Sequence, residues 1–183
     1  CYGDGGAIFT DNEELAQKIV SLRVHGRGIH KYDNVRVGIN GRMDTLQAVV
    51  LLHKLSIFKD ELEARNRVAI YYNEHLKDVV KVPRVKPNLT STWAQYTLVI
   101  ESRNRDTVAN ELKKMGVPTV VYYPKSLHQQ PAYGHYPIAS TSIDGKLSCS
   151  ERLAETVLSL PMHPYLSQDE QDYIIEAVHT VLE

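Results

Sequence analysis

Val37-Gly38-Ile39-Asn40-Gly41-Arg42-Met43-Asp44-Thr45-Leu46-Gln47-Ala48 begins as a glycine-punctuated loop and ends by opening a long helical run, and the rest of the chain is laid out around it. Gly38 and Gly41 bracket Asn40, so the backbone there has access to turns that a Cβ forbids. Asn40 and Arg42 stand two residues apart and point to the same side of an extended segment. An amide and a guanidinium held side by side at a helix entrance suit an anionic ligand. The same residues also make an ordinary surface loop, with Asp44 capping a helix from Thr45 and Arg42 paired with Asp33 or Asp44. Taken alone, the stretch leaves both readings open.

Bulk properties narrow the field. Hydrophobic residues make up 43% and charged residues 23% of the 183 positions, which suffices for a globular core. A net charge of −1 with no basic block gives nucleic-acid binding no electrostatic support. Two cysteines, Cys1 and Cys149, make neither a disulfide framework nor, with scattered histidines, a metal site. A reducing cytoplasm is the expected location. No apolar run approaches membrane-spanning length.

Upstream of the opening stretch, Ala7–Thr10 reads as a short strand leaving a glycine turn. Asp11 with Glu14 forms a capping-box pattern, and Leu15, Ile19 and Leu22 predict a helix over 12–24, stopped at His25-Gly26. Residues 29–39 form a polar, basic loop. From Asp44 to Val82 there is no Gly or Pro, a run long enough to predict two helices with a bend near Ile57-Phe58-Lys59. Beyond the Pro83–Pro87 loop, the pattern predicts a strand over 96–100 and a helix over 106–115 closed by Gly116. A second strand over 117–123 and an irregular stretch over 124–145 follow. Ser148 with Glu151 and Ser167 with Glu170 are two capping boxes, opening helices over 149–158 and 168–182 around an extended link at 160–164. Strand, helix and strand followed by helices mean a small α/β layer domain. Ser126, His128 and Cys149 form no nucleophile constellation, because nothing in the sequence orients a base. His163, beside proline, reads as structural.

Four segments in order carry a family resemblance: Gly3-Asp4-Gly5-Gly6-Ala7, Leu22-Arg23-Val24-His25-Gly26, Gly38 to Ala48, and Leu160-Pro161-Met162-His163-Pro164-Tyr165-Leu166. Together they resemble the DegT/DnrJ/EryC1/StrS family of pyridoxal 5'-phosphate (PLP) sugar aminotransferases. Within that family they are most like the enzymes that aminate UDP-2-acetamido-2-deoxy-3-oxo-glucuronic acid for bacterial surface (lipopolysaccharide-type) polysaccharide. The resemblance implies an α/β fold, the C-terminal part of a fold-type-I PLP-dependent transferase. Residues 1–57 would then end the large PLP-binding domain, and 58–183 would form a linking helix and a small α/β domain.

It also implies a homodimer whose site is shared across subunits, a nucleotide-sugar substrate and glutamate as amino donor, with no nucleic-acid or membrane partner. The family lysine that carries the cofactor sits just before the Gly3 motif, upstream of Cys1. The chain by itself is therefore expected to be inactive and to hold no catalytic residue. Asn40 matches the asparagine that donates to the cofactor phosphate of the partner subunit, and Arg42 matches a sugar-binding position suited to a uronate carboxylate. Tyr122 and Tyr123 match substrate-binding positions. Where close relatives carry His-Tyr, Tyr122 can donate a hydrogen bond but carries no positive charge. His25 stays open between a substrate contact and a structural corner. Two alternatives also stay open: a PLP-dependent sugar dehydratase of the same family, and a non-catalytic module for nucleotide-sugar binding or dimerisation.

Overall fold

In the computed structural model, which describes residues 3–138 and 147–183, two short strands lie at the centre of the better-packed part of the chain. Strand β1 (Tyr96–Val99) pairs antiparallel with β2 (Val157–Leu160), Tyr96 opposite Leu160 and Leu98 opposite Leu158. Those four side chains share one face and are all buried. On the other face Thr97 and Ser159, also opposite one another, join their hydroxyls at 2.9 Å. Single bridges widen the sheet on both edges, Lys81 against Val99 and Val120 against Ser159.

Helices cover the apolar face. Five α-helices are described: α1 (Glu13–Leu22), α2 (Thr45–Leu76), α3 (Arg105–Lys114), α4 (Ser148–Thr156) and α5 (Gln168–Leu182). Val68, Ala69, Tyr72 and Leu76 of α2, Val108 and Leu112 of α3, and Ile174, Ala177 and Val178 of α5 meet the strands in one core. Their spacing of three, four and seven residues is that of a single helical stripe. Trp93, Tyr96 and Tyr72 stack through this core at centroid distances of 5.8 and 5.0 Å. Polar ties fix the aromatic edge. Asn66 accepts from the Trp93 indole at 2.9 Å, and Arg65 donates to the Trp93 and Met162 carbonyls.

The chain divides into two units, Cys1–Phe58 and Lys59–Glu183, with the boundary inside α2. The second unit holds the whole core just described. In the first, Gly26 alone among the described residues is buried, while Phe9, Ile29, Val37 and Leu46 stand in the open.

Several expectations are corrected. Ala7–Thr10 forms no ladder, because a strand needs a neighbour and none of the described residues supplies one. The cap of α1 is Asn12, whose side chain accepts from the Leu15 N–H at 2.9 Å, and not Asp11. Where the sequence predicts two helices, one continuous helical span runs from Thr45 to Leu76; without Gly or Pro its hydrogen-bond ladder has no reason to break. Residues 117–123 contribute one bridge rather than a strand, Pro118 having no N–H to pair. Ser148 is already helical, with Leu147 at the cap. Instead, Glu151 accepts from the Leu147 N–H at 3.1 Å. The helix it opens stops at Thr156, and Val157–Leu160 becomes β2. The capping box of Ser167 and Glu170 forms in full at the head of α5, and α3 runs within one residue of its expected span. Part of the irregular 124–145 stretch lies outside the described residues.

Candidate active-site segment

Residues 39–41 are anchored to the end of α1 by backbone hydrogen bonds. The last turn of α1 leaves carbonyls without helical partners, and the returning chain uses them. Ile39 donates to Leu22, Gly41 donates to Arg23, and His25 donates back to Ile39, each at 2.9 Å. Val24 and Asn40 thereby form an antiparallel bridge. The chain turns there because His25 and Gly26 both adopt positive φ, 58° and 73°, and histidine is among the few side-chain-bearing residues that tolerate it.

Asn40 and Arg42 are exposed and joined to each other: Arg42 Nε donates to Asn40 Oδ1 at 2.9 Å. Arg42 forms no ion pair with Asp33 or Asp44 among the described residues, so the salt-bridge alternative is not seen. Three residues after Arg42, α2 begins. Asp44 stands at its cap, its carbonyl accepting from Ala48, while the Gln47 side chain accepts from the Asp44 N–H at 3.2 Å. With Oδ1 taken, Asn40 offers its NH2 group and Arg42 its two terminal nitrogens. That is a surface of donors only, which suits phosphate or carboxylate oxygens.

The expected residues fall into two groups. His25, Asn40 and Arg42 are drawn together in the first unit through the Val24–Asn40 bridge. Tyr122 and Tyr123 lie in the second, just past the bridge of Val120 to β2, with rings 6.0 Å apart and exposed. Tyr122 also borders a concavity lined by Gln95, Pro118, Val120, Pro161 and Met162. His163 accepts from the Tyr165 N–H through Nδ1, the structural role expected of it. One contact had no signal in the sequence. His128 Nε2 meets Glu151 Oε1 at 3.0 Å across 23 positions, so a carboxylate does orient this ring. Among the described residues Ser126 Oγ, buried, has no hydrogen-bond partner, no hydrogen bond joins Cys149 to the pair, and Cys149 is exposed. Among the described residues no cluster of His, Cys, Asp or Glu could hold a metal, and no helix is long and apolar enough to cross a membrane.

The model of the DegT/DnrJ/EryC1/StrS aminotransferase family matches residues 1–179. The chain belongs to this family. It is 46% identical over 167 residues to the UDP-2-acetamido-2-deoxy-3-oxo-D-glucuronate aminotransferase of Pseudomonas aeruginosa, covering 91% of this chain and 44% of that protein. A DegT DnrJ EryC1 StrS aminotransferase from Brucella abortus superposes with a TM-score of 0.88 at 50% identity, over 95% of this chain and 45% of the other. DesV of S. venezuelae, solved in complex with a ketimine intermediate, gives 0.85 at 30% identity, over 95% and 46%. The chain thus spans about half the length of the relatives it matches. Its fold class is that of the fold-type-I PLP-dependent transferases, and aminotransferases of the family depend on PLP.

Proposed function

We propose that the protein carrying this chain is a PLP-dependent aminotransferase that moves an amino group from glutamate to a nucleotide-linked keto-sugar. The proposed substrate is UDP-2-acetamido-2-deoxy-3-oxo-glucuronic acid, and the proposed setting is cytoplasmic synthesis of bacterial surface polysaccharide. The observation that carries this reading is the donor-only pair of Asn40 and Arg42, anchored by backbone at the entrance of α2. Its chemistry fits a phosphate beside a carboxylate, and the Pseudomonas relative, 46% identical, acts on a uronate. When bound, PLP supplies the electron sink for amino transfer.

In this reading the site is shared across a homodimer. The Asn40 amide donates to the cofactor phosphate of the partner subunit, and the Arg42 terminal nitrogens grip the sugar carboxylate. The Tyr122 and Tyr123 hydroxyls donate to the carboxylate or to sugar hydroxyls, and His25 lines the substrate side of the Val24–Asn40 bridge. Residues 1–57 complete the large domain, and residues 58–183 supply the linking helix and small domain.

The test uses Arg42→Lys and Arg42→Ala in the full-length enzyme at saturating PLP, with the uronate substrate and a neutral keto-sugar. A guanidinium grips a carboxylate through two parallel bonds, and an ammonium does not. Apparent affinity for the uronate should fall in the order Arg, Lys, Ala, by about tenfold or more at alanine. The neutral sugar should be nearly indifferent. Equal losses on both sugars would remove Arg42 from carboxylate recognition and the uronate preference with it.

A further inference from the structure

We infer that Arg42 is a positioning residue for the cofactor phosphate, acting through the side-chain amide of Asn40; this rests on the phosphate contact proposed above. A terminal amide has an acceptor at one end and two donors at the other, and rotation by half a turn exchanges them. Only one of the two orientations turns the NH2 group toward an anion. A guanidinium has donors and no acceptor, so the atom facing Arg42 Nε has to be the amide oxygen. The bond of 2.9 Å therefore selects the orientation in which Asn40 presents donors outward.

The backbone on the Asn40 side of this bond is held independently of it. Gly41, between the two residues, is tied to Arg23, and Asn40 is bridged to Val24. Lysine keeps the charge at position 42 but has no planar N–H at the Nε position, so it leaves the amide free to turn. Cofactor affinity then falls with the fraction of molecules in the competent orientation. One side chain would thus serve two ligands, the carboxylate through its terminal nitrogens and the phosphate through Nε.

The experiment reconstitutes the full-length apoenzyme with PLP, and separately with pyridoxal, which lacks the phosphate. Dissociation constants come from absorbance titration of the parent, Asn40→Ala, Arg42→Lys and the double variant. Asn40→Ala should bind PLP about tenfold more weakly or worse, and Arg42→Lys about threefold more weakly, the competent fraction falling to about a third. The double variant should bind PLP no more weakly than Asn40→Ala, and pyridoxal should bind all four alike. Parent-like PLP affinity in Arg42→Lys beside a weakened Asn40→Ala would overturn the positioning role while keeping the phosphate contact. Losses that multiply in the double variant, or weakened pyridoxal binding, would overturn it as well. Parent-like affinity in Asn40→Ala would remove the phosphate contact itself, and the positioning role with it.

Discussion

Arg105 is the first residue of α3 and only 9% exposed, an unfavourable place for a cation. The positive end of the helix dipole opposes it by about 0.3–1 kcal/mol. What holds it there is a pair of carbonyls: Nη1 donates to Ala154 at 3.2 Å and to Val157 at 3.1 Å, the end of α4 and the start of β2. Hydrogen bonds from charged donors contribute roughly 1.5–3 kcal/mol each, so the two together outweigh the dipole. The contact to Asp106 counts for little, because that carboxylate is largely solvated. Arg105→Ala removes both bonds and strands two carbonyls, while freeing side-chain entropy of at most about 2 kcal/mol. The net destabilisation should be about 2–4 kcal/mol. Arg105→Lys reaches one carbonyl at a time and should cost about half of that. Urea unfolding followed by the fluorescence of Trp93, the single tryptophan of the chain, measures both. A loss below about 0.5 kcal/mol in the alanine variant, the range of ordinary surface changes, would refute the view that Arg105 joins α3 to the α4–β2 junction.

Three further outcomes concern α5. Ser167→Ala should cost about 1 kcal/mol in the same unfolding assay, since the hydroxyl caps the helix and also donates to Glu170. The Ser167 backbone N–H, then its hydroxyl, hold the Glu170 carboxyl below its ordinary range. That contribution is complete above the ordinary carboxylate pKa and is lost as pH falls through the lowered folded value, so Glu170→Gln should flatten the acid limb of a melting-temperature profile. His179 behaves oppositely. The Glu183 carboxylate, with help from the His75 carbonyl, raises its pKa despite partial burial. Its stabilisation is complete below the ordinary imidazole range and is lost as pH rises through the raised value, so His179→Gln should flatten the neutral-to-alkaline limb of the same profile.

What could be read from the chain without coordinates was what depends on near neighbours. The Ser167 capping box, the Gly116 stop of α3 and the β-branched and aromatic run at Tyr96–Val99 each advertise themselves within a few residues. Val157–Leu160 does not, because it leaves α4 without a breaker and its partner lies some sixty positions earlier. Residues 117–123 carry strand-forming side chains, yet a single bridge is all their neighbourhood provides. At the candidate site, the i, i+2 spacing was enough to set Asn40 beside Arg42. It could not disclose that Arg42 would hold the amide, nor that the segment would lean on α1 fifteen or more positions upstream. The His128–Glu151 pair was hidden for the same reason.

Where the chain enters and leaves the 27–35 excursion, two glycines meet. A Cβ on Gly38 would collide with the amide nitrogen of Gly26 and stand 2.5 Å from the Leu22 carbonyl oxygen, and one on Gly26 would collide with the Arg36 carbonyl. The crossing is thus sealed chiefly by main chain against main chain, with the Arg36 side-chain stem beside it. The register of Asn40 is set beneath that excursion, by the bonds that join Leu22, Arg23 and His25 to residues 39 and 41. Residues 28–34, between the two ends bonded to Val24 and Gly26, are therefore the part of the excursion where length and charge have the most freedom to vary. Gly26 and Gly38 are the positions at which that freedom stops.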